Sequence, residues 1–330
     1  MKKRTKAGRQ VGMLDRRAVL RGAAGAAGLL AGGWLGGGGA SSPVAAAELL
    51  EGTLVSDLGE VVYDLALTPD AMAVIAATIS PEAYVVQLSD GATIAELRGH
   101  SDDVNGVAVS PDGMLFATGS DDTTVRIWRR DNLSARVLRG HRNGVYAVAF
   151  SPDSTLLASG GEDNVRLWRV SDGMPVGMIP TDARRLAFTP DGGTVAVGGF
   201  AGLGLWRVAD RTKVRDLDGE RTVALSPNGQ LLAAQEAGGY AVGLWRVADG
   251  AKVRTLKGHR NSVDSIAFTP NGQTLITGSD DNSTRVWNVN DGKLLFVAID
   301  DQLGAGGVVA LPDSKTFITG GGEMYRYMLP

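Results

Sequence analysis

Three histidines are the side chains in this sequence best suited to acid–base or metal chemistry near neutral pH: His100, His141 and His259. A histidine that acts as a general base or as a metal ligand needs a nucleophile, a second histidine or another ligand beside it. Each of the three instead follows a glycine in a separate part of the chain. The sequence therefore favours a structural role for these imidazoles over catalysis.

Paired carboxylates are the second candidate for chemistry, at Asp121-Asp122 and Asp280-Asp281. Both pairs lie in short polar turns between apolar runs, where Asp is favoured because it bonds to nearby backbone. Neither has the spacing of a calcium loop, and the chain contains no G-x-S-x-G and no phosphate-binding glycine loop. The absence of cysteine excludes disulfides, thiolate catalysis and cysteine metal sites. We expect no catalytic residue, no metal site and no cofactor.

The composition indicates a folded, exported domain behind a leader. The chain has 330 residues, of which 44% are hydrophobic and 21% charged, as in globular proteins. Residues 1–47 contain a basic segment, a glycine-rich apolar segment and small residues around Ala45 and Ala47, the three parts of a signal peptide. Within it, residues 15–20 (DRRAVL) resemble a twin-arginine export signal. We predict a signal peptide over 1–47 and export to the periplasm or outside of a bacterial cell. A retained anchor helix is the alternative.

Charge excludes several classes of partner. The leader holds eight basic residues and one acidic residue, so the remainder of a chain whose formal net charge is −3 carries −10. An acidic domain is a poor binder of nucleic acid phosphates or of anionic lipid surfaces. We therefore expect no nucleic acid partner, and no membrane association once the signal is removed.

A repeat of about 40 residues fills residues 48–330. The heptapeptide GLWRVAD occurs at 204–210 and again at 243–249. A Pro-Asp or Pro-Asn turn recurs at intervals of 37 to 43 residues, at Pro69, Pro111, Pro152, Pro190, Pro227, Pro270 and Pro312. A tryptophan follows five of these turns at a steady offset, at Trp128, Trp168, Trp206, Trp245 and Trp287. A fixed period of this length indicates a repeat architecture of seven units.

Each unit reads as four short strands. In residues 103–139, VNGVAVS, MLFATGS, TVRIW and ARVLRG are apolar or alternating runs separated by polar turns, without a helical period. Four-stranded antiparallel sheets repeated radially form a β-propeller. We predict an all-β, seven-bladed propeller.

The units resemble WD40 repeats over roughly residues 52–330. Gly-His opens three of them, at 99–100, 140–141 and 258–259, and VRIW, VRLW and RVWNV end the third strand. The sequence departs from the family where Asp should follow the tryptophan, because Arg or Asn stands there (Arg129, Arg169, Arg207, Arg246 and Asn288).

The chain ends support a closed ring. The last unit stops after its third strand, MYRYMLP, whereas GTLVSDLGE at 52–60 resembles a fourth strand and precedes the first complete unit. As in this family, we expect the N-terminal strand to complete the last blade, which leaves no free sheet edge at the seam.

The resemblance also implies a structural network around each histidine. In WD40 blades the imidazole bonds to an Asp in the turn before the third strand, and a Ser or Thr and the Trp complete the network. The matching positions here are His100, Thr118, Asp122 and Trp128; His141, Ser159, Asp163 and Trp168; and His259, Thr277, Asp281 and Trp287.

The family usually binds partners on the face around the central channel. The positions that enter the first strand of each unit are Tyr63, Asn105, Tyr146, Arg184, Arg221, Asp264 and Gly306. Tyrosine and arginine are enriched at binding hot spots, so an acidic or carboxylate-bearing peptide is the expected ligand. The alternative is that these are solvated loop residues.

Two functions remain open from sequence. The first is a non-enzymatic, monomeric interaction platform that binds a protein or peptide partner. The second is a propeller enzyme that uses a metal or quinone in its channel, since one fold hosts many chemistries. Such an enzyme needs several ligands converging there, whereas the predicted ring supplies one carboxylate, Asp264. The sequence favours the platform.

Overall fold

Short apolar runs divided by polar turns make this chain a β protein. The computed structural model describes residues 48–299 and 306–330, and all regular secondary structure in them is β-strand. Those residues include no helix long and apolar enough to cross a membrane. The signal peptide expected at 1–47 lies outside the described residues.

Two strands precede the first complete sheet: β1 (Glu48–Leu49) and β2 (Thr53–Ser56). Blade 1 consists of β3 (Val62–Leu67), β4 (Ala73–Thr78), β5 (Glu82–Gln87) and β6 (Thr93–Arg98). Blade 2 consists of β7 (Val104–Val109), β8 (Leu115–Ser120), β9 (Thr124–Arg129) and β10 (Ala135–Arg139). Blade 3 consists of β11 (Val145–Phe150), β12 (Leu156–Gly161), β13 (Val165–Arg169) and β14 (Pro175–Ile179).

Blade 4 consists of β15 (Arg185–Phe188), β16 (Thr194–Gly199), β17 (Gly202–Arg207) and β18 (Lys213–Leu217). Blade 5 consists of β19 (Gly219–Leu225), β20 (Leu231–Glu236), β21 (Val242–Arg246) and β22 (Lys252–Leu256). Blade 6 consists of β23 (Val263–Phe268), β24 (Thr274–Ser279), β25 (Ser283–Asn288) and β26 (Leu294–Ile299). Blade 7 consists of β27 (Gly307–Ala310), β28 (Thr316–Gly320), β29 (Met324–Met328) and the early strand β2.

The recurring proline turns connect the first two strands of each blade. In the turn at Pro111, the Ser110 hydroxyl donates to Oδ1 of Asp112 at 2.6 Å, and the same oxygen accepts the N–H of Met114 at 3.0 Å. The short carboxylate thus replaces backbone partners that a tight turn leaves unpaired. The repeated Pro-Asp motif is therefore the hairpin turn of the blade.

Seven apolar cores hold the molecule together, one between each pair of adjacent blades. Between blades 1 and 2, for example, Ile75 and Leu97 of blade 1 pack with Phe116 and Trp128 of blade 2. Each repeat tryptophan lies in the core that its blade shares with the preceding blade: Trp128, Trp168, Trp206, Trp245 and Trp287. The blades therefore stabilise one another around the ring.

The ring closes through the N-terminal strand, as the sequence predicted. Strand β2 pairs antiparallel with β29, with Thr53 opposite Arg326, and so becomes the fourth strand of blade 7. The Val55 carbonyl packs so close to Gly91 of blade 1 that a Cβ there would overlap it. The fold is a seven-bladed β-propeller of four-stranded antiparallel sheets.

Strand β1 is a feature that the repeat pattern did not predict. Glu48 and Leu49 pair in parallel with Phe296 and Val297 of β26, which adds a fifth strand to blade 6. Two residues are too few to show an alternating pattern. Nothing in the sequence therefore marked this strand.

The repeated heptapeptide forms the same stack twice. In blade 5 the indole of Trp245 lies against Gly243 of its own strand, where a Cβ would overlap the ring. The Nζ of Lys252, from the KVR that follows GLWRVAD, lies 5.4 Å from the centroid of that indole, within cation–π range. Blade 4 repeats the arrangement with Gly204, Trp206 and Lys213.

Candidate functional site at the channel mouth

The histidine of blade 2 uses both ring nitrogens inside the blade. Nδ1 of His100 lies 2.8 Å from Oδ2 of Asp122, and Nε2 lies 2.7 Å from the Thr118 hydroxyl. Nε1 of Trp128 donates to the same hydroxyl at 2.9 Å. His100 lies in the loop before β7, Asp122 in the turn before β9, Thr118 in β8 and Trp128 in β9. The network therefore ties the strands of one blade together.

Blade 3 repeats this geometry with a serine in place of the threonine. Nδ1 of His141 lies 2.7 Å from Oδ1 of Asp163, and Nε2 lies 2.7 Å from the Ser159 hydroxyl. The Trp168 indole donates to that hydroxyl at 2.8 Å. Trp168 follows Asp163 by five residues, one fewer than in blade 2, and the network still forms.

Blade 6 holds the third copy. Nδ1 of His259 lies 3.0 Å from Oδ2 of Asp281, and Nε2 lies 2.7 Å from the Thr277 hydroxyl. The Trp287 indole donates to Thr277 at 2.9 Å. The structure thus brings together all twelve residues that the resemblance assigned to these networks.

Electrostatics make the networked histidines neutral. Because the ionised Asp122 can only accept, Nδ1–H of His100 donates to it, and Nε2 of the neutral ring accepts from the Thr118 hydroxyl. Burial lowers the pKa of His100, although Asp122 acts in the opposite direction. Burial would raise the pKa of Asp122, but hydrogen bonds from Thr124 and His100 outweigh it and lower that pKa to about 2. Both imidazole nitrogens are occupied, which leaves none for a substrate.

The predicted ring residues line one cavity at the mouth of the central channel. The cavity has a volume of about 430 Å³, and its walls include all seven positions, namely Tyr63, Asn105, Tyr146, Arg184, Arg221, Asp264 and Gly306. It also contains Arg185, Thr222 and Asp280, which the repeat alignment did not single out. Among the described residues, no group of three or more His, Asp or Glu side chains is placed to hold a metal ion.

Bulges in the innermost strands position these side chains. The pairing of β7 with β8 slips between Val104 and Gly106, which leaves Asn105 as the extra residue. The same slip occurs in β3, β11 and β23, at Tyr63, Tyr146 and Asp264. In β19 the slip leaves out Arg221 and Thr222. A bulge redirects a side chain away from the sheet surface, here at the mouth of the channel.

Two arginines of the ring are held by stacking and by backbone geometry. The Cζ of Arg184 lies 3.9 Å from the ring centroid of Tyr146, and its Nη2 lies 3.9 Å from Oε1 of Glu162. Arg221 donates through Nη1 to the Ser262 hydroxyl at 3.1 Å. The φ of Arg221 is +63°, a left-handed conformation that costs a non-glycine residue about 1–2 kcal/mol. Strain of this kind clusters at functional sites.

Arg185 reaches across the channel from blade 4. Its Nη2 donates to the carbonyl of Tyr63 at 3.2 Å and to that of Gly306 at 3.4 Å, and lies 3.7 Å from Oδ1 of Asp64. A second cavity of about 180 Å³ also has Arg185 and Asp64 in its walls. Arg185 therefore borders both cavities.

A signal for Arg185 was present in the aligned repeats. Its register position, opposite the fifth residue of the second strand, is occupied by Gly106, Ala147 and Ser265 in blades 2, 3 and 6. The arginine stands out among these small residues. The corresponding residue of blade 5 is Glu220, and that of blade 1 is the ion-pair partner Asp64. These aligned positions, one residue further along the first strand in most blades, therefore pointed to the pair of Arg185 and Asp64.

Blade 6, next to Arg221 of blade 5, makes part of the mouth acidic. Burial raises the pKa of Asp264 to about 7, and the neighbouring carboxylate of Asp280 adds to the effect, while Arg185 and Arg221 act against it. The mouth thus has arginines on blades 4 and 5 and a carboxylate pair on blade 6. Planar guanidinium groups bind carboxylates in a bidentate way, so the arginine side can receive an anionic group of a partner.

Comparison with known proteins identifies three of the repeats. The model of the WD domain, G-beta repeat, matches residues 91–129, 133–169 and 250–288. Each match contains one complete histidine network, from blade 2, 3 or 6.

The similar proteins are far longer than the matched segments. An intraflagellar transport protein 122 homolog of Xenopus tropicalis is 44% identical over 71 residues, which are 22% of this chain and 6% of that protein. BEACH domain-containing protein B of Arabidopsis thaliana is 47% identical over 45 residues, 14% of this chain and 2% of that protein. Apoptotic protease-activating factor 1 of Rattus norvegicus is 44% identical over 55 residues, 16% and 4% respectively. WD40 propellers generally bind protein partners, and this seven-bladed propeller contains WD40 repeats.

Proposed function

We propose that this chain is a non-enzymatic platform that binds a protein partner through the mouth of its central channel. The observation that supports this most directly is the convergence of Tyr146, Arg184 and Arg221, from three successive blades, on one open cavity. Tyrosine and arginine dominate the binding energy of protein interfaces. A carboxylate-bearing segment of the partner is the matching ligand, because the arginines form a basic arc on a domain of formal charge −10.

Affinity capture tests the platform. The full-length chain with a C-terminal affinity tag is recovered from the cells that produce it, beside a variant in which Tyr146, Arg184 and Arg221 are all replaced by alanine. We expect a protein to be retained by the parent and lost by the variant, with the two melting temperatures within a few degrees. Equal retention by both proteins would show that the mouth is not the binding site.

We further propose that the platform works outside the cytoplasm. The basic, apolar and small-residue segments of residues 1–47 support this, together with the twin arginines Arg16 and Arg17. Replacing both arginines by lysine is expected to leave the chain in the cytoplasmic fraction at its precursor mass, because the export machinery reads the arginine pair. Unchanged export of that variant would contradict the twin-arginine route.

A further inference from the structure

One position at the channel mouth separates blade 4 from the three blades that contain a histidine network. The residue that directly follows the second strand is acidic in blades 2, 3 and 6: Asp121, Glu162 and Asp280. In blade 4 the same position holds Phe200, whose side chain is 56% exposed. Phe200 therefore places an apolar ring at a position of the mouth that is acidic in those three blades.

The backbone of Phe200 is fixed by a carboxylate that lies in the loop before the first strand, whereas in blade 2 the carboxylate lies in the turn after the second strand. Oδ2 of Asp182, in the loop before β15, accepts the backbone N–H of Phe200 at 2.6 Å, and Oδ1 accepts that of Ala201 at 3.0 Å. In blade 2 the carboxylate instead sits in the turn, as Asp122, and the histidine in the loop. The turn of blade 4 is thus held rigidly without an acid on it, which frees the position for Phe200.

Two arginines flank the exposed ring. The Cζ of Arg184 lies 4.6 Å from the Phe200 ring centroid, and the Cζ of Arg221 lies 5.3 Å from it. Arg184 also stacks on Tyr146, so its guanidinium lies between two aromatic rings. We call Tyr146, Arg184, Phe200 and Arg221 the Phe200 shelf.

The positive charge of the shelf is only partly matched. Elsewhere at the mouth the acids have polar partners on neighbouring side chains, as Asp121 does with Nδ2 of Asn105 at 2.8 Å. Arg221 donates to a neutral hydroxyl, and the Glu162 oxygen lies 3.9 Å from Arg184, beyond hydrogen-bond distance. The side chain of Arg184 is 32% exposed, so its guanidinium is accessible to an external carboxylate.

We propose that the Phe200 shelf recognises a two-part motif in an extended segment of the partner: a carboxylate bound by Arg184 and Arg221, and an adjacent large apolar side chain packed on Phe200. The inference rests on the proposed function, because it assumes that the mouth binds a partner. It goes further by making Phe200 a specificity-determining residue outside the ring of first-strand positions.

Peptide selection tests the motif. Two random twelve-residue bead libraries, one with free carboxyl termini and one amidated, are selected on the full-length chain. We expect enrichment of an acidic group next to Leu, Ile, Phe, Tyr or Trp. Enrichment in both libraries assigns the carboxylate to Asp or Glu side chains, whereas enrichment only with free termini assigns it to the chain end.

Single substitutions then separate the two halves of the motif. Phe200→Ser is expected to weaken binding of an enriched acidic–apolar peptide about tenfold, the value of one good apolar contact. The affinity for the same peptide with serine in place of the apolar residue should change by less than about twofold. Ile79→Ser is the matched control, because Ile79 follows the second strand of blade 1 and is 43% exposed. It should change neither affinity.

Three results would overturn the inference in distinguishable ways. Selected peptides that are acidic but have no apolar preference would remove the role of Phe200 and leave the proposed function intact. An equal loss with Ile79→Ser and Phe200→Ser would show that the effect is not local to the shelf. A selection without acidic enrichment, together with unchanged partner capture by the Tyr146, Arg184 and Arg221 variant, would remove the proposed function itself.

Discussion

Blades 2, 3 and 6 and blades 4 and 5 bury the same tryptophan in two different ways. In the first group the indole N–H donates to a Thr or Ser that also bonds to a buried histidine. In blades 4 and 5, Val197 and Ala234 stand where the hydroxyl would be, and the indole lies on a glycine with a lysine over it. One fold position thus accepts either a polar network or an apolar stack.

The two groups of blades also differ in the residues at the channel end. The network fixes the loop and the turn at the channel end of blades 2, 3 and 6 with a His–Asp pair. Blades 4 and 5 lack that pair, and they carry Arg184, Arg185, Phe200 and Arg221. Departures from a local rule are expected where function takes over. In the proposed site, blades 4 and 5 therefore supply the arginines and Phe200, and the networked blade 3 supplies Tyr146.

The largest expected effect is on a networked tryptophan. Trp128→Ala should lower the free energy of unfolding by about 3–5 kcal/mol, because it leaves a large cavity and removes the donor to Thr118. Urea denaturation of the variant and parent measures the loss. A loss below about 1 kcal/mol would mean that the network contributes little in this blade.

A milder exchange compares the two groups directly. Trp287→Phe keeps most of the aromatic side chain but removes the N–H that donates to the Thr277 hydroxyl. We expect the free energy of unfolding to fall by about 1–3 kcal/mol, because a buried polar group loses its partner. Trp206→Phe in blade 4 should cost less, because Val197 offers no hydroxyl to its indole. Equal losses in urea denaturation would contradict the distinction between the blades.

The glycine of the repeated heptapeptide provides the converse test. Gly243→Ala places a methyl group into the indole of Trp245, and overpacking of this kind costs about 1–3 kcal/mol. The matched control is Arg285→Ala, at the same distance before the tryptophan of blade 6. If the glycine variant melts with or above the control, the stack is not close-packed.

The smallest expected effect is a pH dependence confined to the networked blades. Burial lowers the pKa of His259, so below about 6.5 the unfolded chain binds a proton that the folded chain does not. Stability from this group is full above pH 6.5 and falls as the pH drops further. The difference in free energy of unfolding between the parent and His259→Gln should therefore shrink from pH 7 to pH 5. A difference that stays constant would show that His259 titrates alike in both states.

The fold followed from the sequence because its signals repeat. The spacing of Pro111 and Trp128 recurs along the chain, so each unit supports the assignment of the next. The unpaired strand at 52–60 predicted the closure between β2 and β29, which is confirmed. Strand β1 escaped because two residues show no period.

The site could be predicted only where the repeat marks it. Aligned first-strand positions found Tyr146, Arg184 and Arg221, which the structure places on one cavity. Phe200 was missed because its role depends on arginines from two other segments, a proximity that only the folded ring shows. The GLWRVAD repeat was recognised, but its glycine needed the indole position to be understood.

The partner is proposed to bind at the channel mouth rather than on the opposite face of the propeller. A photo-crosslinking benzoylphenylalanine placed at Tyr146 tests it in the cells that produce the protein, with the same group at Met114, exposed at the other end of blade 2, as the control. We predict a crosslinked partner from position 146 and none from position 114. A partner crosslinked from 114 and not from 146 would contradict the assignment of the site.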